Sequence, residues 1–305
     1  SDSKLSVTSV TGQRMSLIGS NPVLDLKNSQ LEMNATTGRG IYLQGETPQV
    51  LMDNSQLLMT DTGASQGMIL QGIDALLSLS KQSELAITGT GIGTAENIQI
   101  GNNNARPKLS VTGESKLSVT TTSGTGAATD TSNNAIHLRG DDPKAIFDDS
   151  ELNIEIMSGA RRGLFLNGIN SDLRILDSKI DIETLLDVGL RTIGNNGNNL
   201  ISNSLVNMLT GDSVSIAFTG EAMKTRITDN SKIISDQGLY FSGSNVTFEN
   251  NTEVEIVSKV SPINPNFGNQ NVTNGIITFE RIGYSQGLLN VNNSILNITK
   301  KDNVT

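Results

Sequence analysis

The stretch Asn28-Ser29-Gln30-Leu31-Glu32-Met33 returns 26 residues later as Asn54-Ser55-Gln56-Leu57-Leu58-Met59. Both copies begin with Asn followed by Ser, and both place aliphatic residues at the fourth and sixth positions. An earlier copy begins at Asp2, and the hydroxyl residue of later copies falls at Ser83, Ser115, Ser150, Ser178, Ser204, Ser231, Thr252 and Ser294. Self-similarity at such a period is typical of solenoid proteins.

Two further phrases lie inside each period. One has glycine at both ends of an alternating aliphatic strand, as in 40–45, 67–72, 163–168 and 238–243, and the other is a third short strand, as in 23–26, 145–147 and 245–248. Each phrase alternates with period two, which indicates a β-strand. The sequence therefore predicts an all-β chain, a right-handed single-stranded parallel β-helix (β-solenoid) of about eleven coils with three short strands per coil, covering residues 1–305 as one domain.

The physical reason is that a strand of four or five residues cannot bury its apolar side alone. Stacking places Leu31 over Leu57 and Met33 over Met59, with the coils ~4.8 Å apart. Asn and Asp suit the sharp corners, because they tolerate a left-handed backbone and bond locally. A β-propeller or sandwich is the alternative fold, but it would show regular hairpin signals such as Asn-Gly pairs.

Composition limits the possible functions. The net charge of -9 and the pI near 4.7 disfavour nonspecific attraction to nucleic acid. The absence of cysteine excludes disulfides and thiolate chemistry, and a single histidine leaves little room for a His-based metal site. No apolar run approaches the ~18–20 residues that span a bilayer. We expect no cofactor, no metal and no membrane insertion, and a monomer excised from a longer protein.

The middle residue of the second strand should point outward, so that one face of the rod presents a column of exposed side chains. In coil order the column reads Tyr42, Ile69, Gln99, His137, Phe165, Arg191, Ala217, Tyr240 and Ile277. Aromatic rings can stack on sugars, and arginine can hold a carboxylate through two hydrogen bonds. The predicted ligand-binding residues are His137, Arg139, Arg161, Arg162, Phe165, Arg191 and Tyr240. The alternative is that they are ordinary strand formers.

The long loops and the acidic pairs are further candidate elements of a site. The long connections 120–134 and 257–274, with the loop 155–162 between them, are expected to overhang one edge of the rod. Catalysis would need paired carboxylates around one groove. The candidates, Asp141-Asp142 and Asp148-Asp149, fall at different corners of one coil, where aspartate is common in turns. We therefore predict no catalytic residues.

The whole chain resembles the pectate-lyase-like β-helical adhesive domains of Gram-positive surface proteins, on coils such as Asn28–Met33 followed by Gly40–Gly45. It is similar to the binding regions of lactobacillal serine-rich repeat adhesins. The resemblance implies a non-catalytic adhesin binding region, extracellular and attached to the cell wall, with host mucosal glycans or pectin-like acidic polysaccharides as ligands. A lyase or hydrolase acting on uronate polymers and a structural spacer remain alternatives.

The acidic pI adds an expectation about pH. An anionic glycan is repelled by this protein at neutral pH, and the repulsion falls as carboxylates and His137 take up protons toward about pH 4–5. Binding to anionic polysaccharides is therefore expected to strengthen on acidification.

Overall fold

The computed structural model describes residues 3–9, 15–35, 40–61, 67–89, 96–121, 134–157, 162–185, 187–211, 214–258, 278–280 and 288–300. This part of the chain forms strands and turns without helices. The strands wind into a right-handed parallel β-helix with three faces, which confirms the predicted fold class.

The first face carries the Asn/Asp-Ser phrase. Its strands are β1 (Ser3–Ser9), β4 (Ser29–Ala35), β7 (Gln56–Asp61), β10 (Glu84–Gly89), β17 (Lys179–Thr184), β20 (Leu205–Leu209), β22 (Lys232–Ser235), β24 (Glu253–Ser258) and β27 (Ile295–Lys300). The second face carries the phrase bounded by glycine. Its strands are β2 (Met15–Ile18), β5 (Ile41–Gln44), β8 (Met68–Gln71), β11 (Ile98–Ile100), β13 (Asn134–Arg139), β15 (Arg162–Asn167), β18 (Leu190–Ile193) and β25 (Thr278–Glu280).

The third face completes each coil. Its strands are β3 (Val23–Lys27), β6 (Gln49–Asp53), β9 (Leu76–Ser80), β16 (Asp172–Leu176), β19 (Asn198–Ser202) and β26 (Leu288–Val291). Four longer strands continue around a corner. β12 (Lys108–Thr121) and β14 (Lys144–Ile156) run from the third face into the first, whereas β21 (Ile216–Thr228) and β23 (Leu239–Phe248) run from the second into the third.

Coil-to-coil register follows the repeat. Leu31 pairs with Leu57 and Met33 with Met59, in the parallel pairing of β4 with β7. All four side chains are buried. The predicted ladders of like side chains are thereby confirmed, and they fill the interior of the rod.

In the described part of the chain the interior is mostly apolar, and polar side chains enter it at a few positions. In the third face, Asn199 and Thr225 take the inward row that Leu173 occupies before them and Val246 after them. The Asn199 Nδ2 donates to Thr225 Oγ1 at 3.2 Å, and Asn199 Oδ1 has no hydrogen-bond partner in the described part of the chain. Polar groups inside a core cost stability unless they are bonded, so this layer is less favourable than its neighbours.

The corner between the third and first faces explains why the phrase begins with Asn or Asp. One exposed residue per coil stands there with φ between 46° and 64°, and together these residues form what we call the corner ladder: Asn28, Asn54, Gln82, Glu114, Asp149, Asp177, Asn203, Asn230, Asn251 and Asn293. Residues other than glycine avoid this left-handed region, and among them Asn and Asp tolerate it best.

The hydroxyl residue that follows the corner ladder has a structural role. The Oγ of Ser178 accepts the backbone N–H of Ser150 in the preceding coil at 3.1 Å and donates to the carbonyl of Leu176 at 2.6 Å. Ser83 and Ser204 make the same pair of bonds in other coils. A buried serine thus satisfies one backbone donor and one backbone acceptor at each of these corners.

Candidate functional site

The structure places most of the predicted column in register on the second face. His137 pairs with Phe165, Phe165 with Arg191, Arg191 with Ala217, and Ala217 with Tyr240. The last member is wrong by one residue, because Tyr240 pairs with Thr278 rather than Ile277. Ile277 itself lies outside the described residues.

The expectation that this column is exposed is wrong. The exposed fractions are 5% for His137, 4% for Phe165 and 4% for Tyr240. The side chains do point away from the core, but residues that precede the second-face strands lie against them. Val188 and Val214 form a separate apolar cluster with Ala217 and Tyr240. The outward column is therefore a second packed layer instead of a bare surface.

His137 is held on two sides of its ring. Its Nδ1 contacts the Glu96 carboxylate, and both side chains are buried. Asn134 Nδ2 donates to the same carboxylate at 3.3 Å. The imidazole stacks on the Phe165 ring with centroids 4.9 Å apart and planes 15° apart. The His137 Nε2 is buried without a hydrogen-bond partner in the described part of the chain.

Two guanidinium groups also approach the Phe165 ring. The Arg162 Cζ lies 4.9 Å from the ring centroid and the Arg191 Cζ lies 5.6 Å from it, within the range of a cation–π contact. Arg162 Nε is 3.7 Å from the Asp187 carboxylate, which also accepts the Val188 N–H at 2.8 Å. We call Arg162, Phe165, Asp187 and Arg191 the arginine pocket.

The arginine pocket is electrostatically positive. Burial, together with the nearby charge of Arg162, lowers the pKa of Arg191 well below its usual range, to about 10. The charges of Asp187 and Tyr240 raise the pKa of Arg191, but they do not offset the lowering. A group whose cationic form is disfavoured in this way is stabilised by any anion that binds beside it. The arrangement can therefore hold a carboxylate.

The remaining predicted residues lie elsewhere or outside the described part. Arg139 is exposed at the end of β13, at the corner with the third face. Arg161 lies outside the described residues. Most of the long connections 120–134 and 257–274 also lie outside them.

The acidic pairs are separated, as the sequence indicated. Asp142 lines an open groove of 680 Å³ with Arg106, Lys108 and Lys144, whereas Asp149 lines grooves at the corner ladder. In the described segments, we find no group of three or more histidine and acidic side chains arranged to hold a metal ion.

The grooves beside the corner ladder were not predicted from the sequence. One, of 620 Å³, is lined by Lys27, Asn28, Asp53, Asn54, Lys81, Gln82, Gly113, Glu114 and Asp149. The next, of 560 Å³, is lined by Glu114, Lys116, Asp149, Ser150, Glu151, Asp177, Ser178, Lys179, Asn203 and Leu205. The Asn/Asp repeat is the available signal, but in the sequence it indicates only turns.

Comparisons with known proteins do not assign the chain. No protein-family model matches it, and neither a curated protein nor a solved structure does. The residues that the structure describes include no helix that is long and apolar enough to cross a membrane.

Proposed function

We propose that this chain is the non-catalytic binding region of a cell-surface adhesin and that it recognises acidic polysaccharides, either mucin-type glycans or pectin-like polymers. The observation that carries the proposal is the arginine pocket. Two guanidinium groups lie at one aromatic ring, and burial beside the charge of Arg162 lowers the pKa of Arg191 to about 10.

A uronate or sialate carboxylate suits this pocket. Arg191 is partly buried, whereas Arg162 and Phe165 lie deeper. Guanidinium groups bind carboxylates through two parallel, charge-assisted hydrogen bonds.

The net charge of -9 modulates this binding. At neutral pH the protein as a whole repels an anionic polymer, and protonation of its carboxylates removes that repulsion. Affinity for anionic glycans is therefore expected to rise on acidification. Added salt should weaken the local attraction, since ions screen exposed charges.

The separated acidic pairs support a binding role over a catalytic one. Asp142 and Asp149 line different grooves, whereas glycoside hydrolysis needs two carboxylates flanking one bond. The resemblance of the repeat to Gram-positive adhesive domains supports an extracellular, cell-wall-attached location and a monomeric rod.

A retention experiment tests the proposal. The purified domain is incubated with polygalacturonate, rhamnogalacturonan and mucin at about pH 4 and pH 7.5, with and without calcium. Bound glycan and the absorbance of unsaturated uronate products are both followed. Retention without products, stronger at the lower pH, is expected. Product formation would identify a lyase, and the absence of retention from every glycan would favour a spacer.

The arginine pocket is tested separately by Arg191→Met. This variant should lose retention of polygalacturonate by at least tenfold. The matched control is Arg174→Met, which removes an exposed arginine that is ion-paired with Asp172 at 3.1 Å. Equal losses in both variants would assign the effect to overall charge and would contradict a role for the pocket.

A further inference from the structure

We infer that Glu96 is the proton-sensitive group of the arginine pocket. Its buried carboxylate opposes the binding of an anionic glycan while it is ionised, and protonation removes this opposition. The inference rests on the proposed function, because it names the group that regulates the same site. It assigns the strengthening of binding in acid to one buried charge, in addition to the net charge of the whole protein.

The carboxylate of Glu96 is buried without a lysine or arginine beside it. Glu96 lies just before β11 and is 7% exposed. Its Oε1 accepts the Asn134 Nδ2 at 3.3 Å and contacts the His137 Nδ1. Among the described residues, His137 is the one basic side chain within ion-pairing distance of Glu96. We call Glu96 and His137 the buried pair.

The His137 ring decides the charge of the buried pair. Its Nε2 is buried and has no hydrogen-bond partner in the described segments. A proton on that nitrogen would create a buried N–H group without an acceptor, which costs free energy. The geometry therefore favours a neutral imidazole that donates from Nδ1 to the carboxylate. In this state the buried pair carries one negative charge, which belongs to Glu96.

The charged groups that face the buried pair belong to the arginine pocket. The imidazole stacks on Phe165 of β15, whose ring lies 4.9 Å from the Arg162 Cζ and 5.6 Å from the Arg191 Cζ. Asp187, which precedes β18, lies 3.7 Å from the Arg162 Nε. On the β11 side, the register neighbour of the imidazole is the uncharged Gln99. A change of charge in the buried pair is therefore felt first by the arginine pocket.

The separation is short enough for one charge to alter the affinity for an anion. The register of β11 with β13 sets Glu96 beside Asn134, which pairs with Arg162 in the following coil. Two coil steps of ~4.8 Å separate the backbones of Glu96 and Arg162 by about 10 Å. At an effective dielectric constant of about 20, a unit charge at this distance changes an anion's binding constant by on the order of tenfold.

Salt distinguishes this mechanism from repulsion by the net charge of -9. Mobile ions screen exposed charges strongly and buried charges much less. Glutamate side chains in general take up their proton near about pH 4. The ratio of affinities at about pH 4 and pH 7.5 should therefore stay large in about 0.5 M salt if Glu96 causes it, whereas a ratio caused by surface carboxylates should approach one.

The variant Glu96→Gln imitates the protonated carboxyl group. Its amide oxygen can still accept from Asn134 and His137. In about 0.5 M salt, the variant should bind polygalacturonate on the order of tenfold more tightly than wild type at pH 7.5 and nearly equally at about pH 4. The matched control is Glu46→Gln, which removes the same charge from an exposed side chain two coils earlier and should bind like wild type. Circular dichroism and a thermal melt verify that both variants are folded.

A second measurement uses the wild-type protein and does not depend on the folding of a variant. Isothermal titration calorimetry with oligogalacturonides at about pH 5, in two buffers of different ionisation enthalpy, counts the protons that are taken up with each ligand. Linkage is reciprocal, so a ligand that binds more tightly after protonation must itself promote proton uptake. Wild type and Glu46→Gln should take up a fraction of a proton, and Glu96→Gln should take up clearly less.

The outcomes separate this inference from the proposed function. If wild type retains no anionic glycan, both are overturned. If wild type retains polygalacturonate but binds it without proton uptake, or if Glu96→Gln keeps the pH dependence of Glu46→Gln, the inference alone is overturned. Loss of the whole pH dependence of wild type in about 0.5 M salt would also overturn it, because the surface charges would then account for the effect.

Discussion

Replacing Arg191 with methionine should stabilise the protein. Each tenfold change in proton affinity is worth about 1.4 kcal/mol. Because burial lowers the pKa of Arg191 to about 10, its charge costs the folded state on the order of 3 kcal/mol. Methionine keeps much of the apolar volume but loses the cation–π contact with Phe165, worth about 1 kcal/mol. The expected net gain is about 2 kcal/mol, or a rise of about 3 °C in the unfolding midpoint.

The pH dependence of this gain has a definite sign. Arg191 is a cation whose folded-state pKa lies below its unfolded value, so its destabilising effect is fully present below about pH 10. The effect is relieved as the pH rises above about 10, toward the pKa of the unfolded chain. The difference in stability between Arg191→Met and wild type should therefore be constant from pH 7 to pH 9 and should shrink at pH 11.

Thermal and urea unfolding at these three pH values measure the effect. Arg174→Met is again the control, because its arginine is 47% exposed and should change stability by less than about 0.5 kcal/mol. A loss of stability in Arg191→Met at pH 7 would refute the reasoning. Stabilisation combined with loss of polygalacturonate binding would indicate a residue that serves binding at the expense of stability.

Two other substitutions test the corners of the rod. Ser178→Ala should lower the free energy of unfolding by about 1–3 kcal/mol, because it leaves the Ser150 N–H and the Leu176 carbonyl without their partner. Urea titration measures this loss. An unchanged unfolding midpoint would contradict the prediction. Asp149→Asn should raise stability by about 0.5 kcal/mol in low salt, because it relieves repulsion from the carboxylates in the adjacent coils. That gain should fade in 1 M salt, and a gain of equal size at both salt concentrations would point to another cause.

The fold was predictable because its determinants are local and repeated. Leu31, Leu57 and their successors recur at the same place in each period, so a single pairing defines the register of the whole rod. The hydroxyl residue after each corner was visible in the sequence as well. Its role was not, because the bonds of Ser178 join backbone groups of different coils and depend on the stacked geometry.

The candidate site was predictable only in part. Alternation correctly placed His137, Phe165 and Arg191 in one outward column. It could not reveal that Glu96 and Asp187 contact this column, because strand periodicity carries no information on where connecting segments pack. The error of one residue at Ile277 has a similar origin. The long connection 257–274 precedes this position, so the repeat does not fix which residue pairs with Tyr240.

The polar layer at Asn199 and Thr225 has a mechanical consequence. Hydrogen bonds between coils lie nearly parallel to the rod axis, and each coil is bonded only to its two neighbours. Tension along the rod is therefore carried in series, and the weakest junction decides where the first coil separates. Where Asn199 and Thr225 meet, one side-chain hydrogen bond and an unbonded amide oxygen stand in place of the aliphatic contacts of the other coils. A stretched rod should part there first, and the coils on either side should keep their own packing.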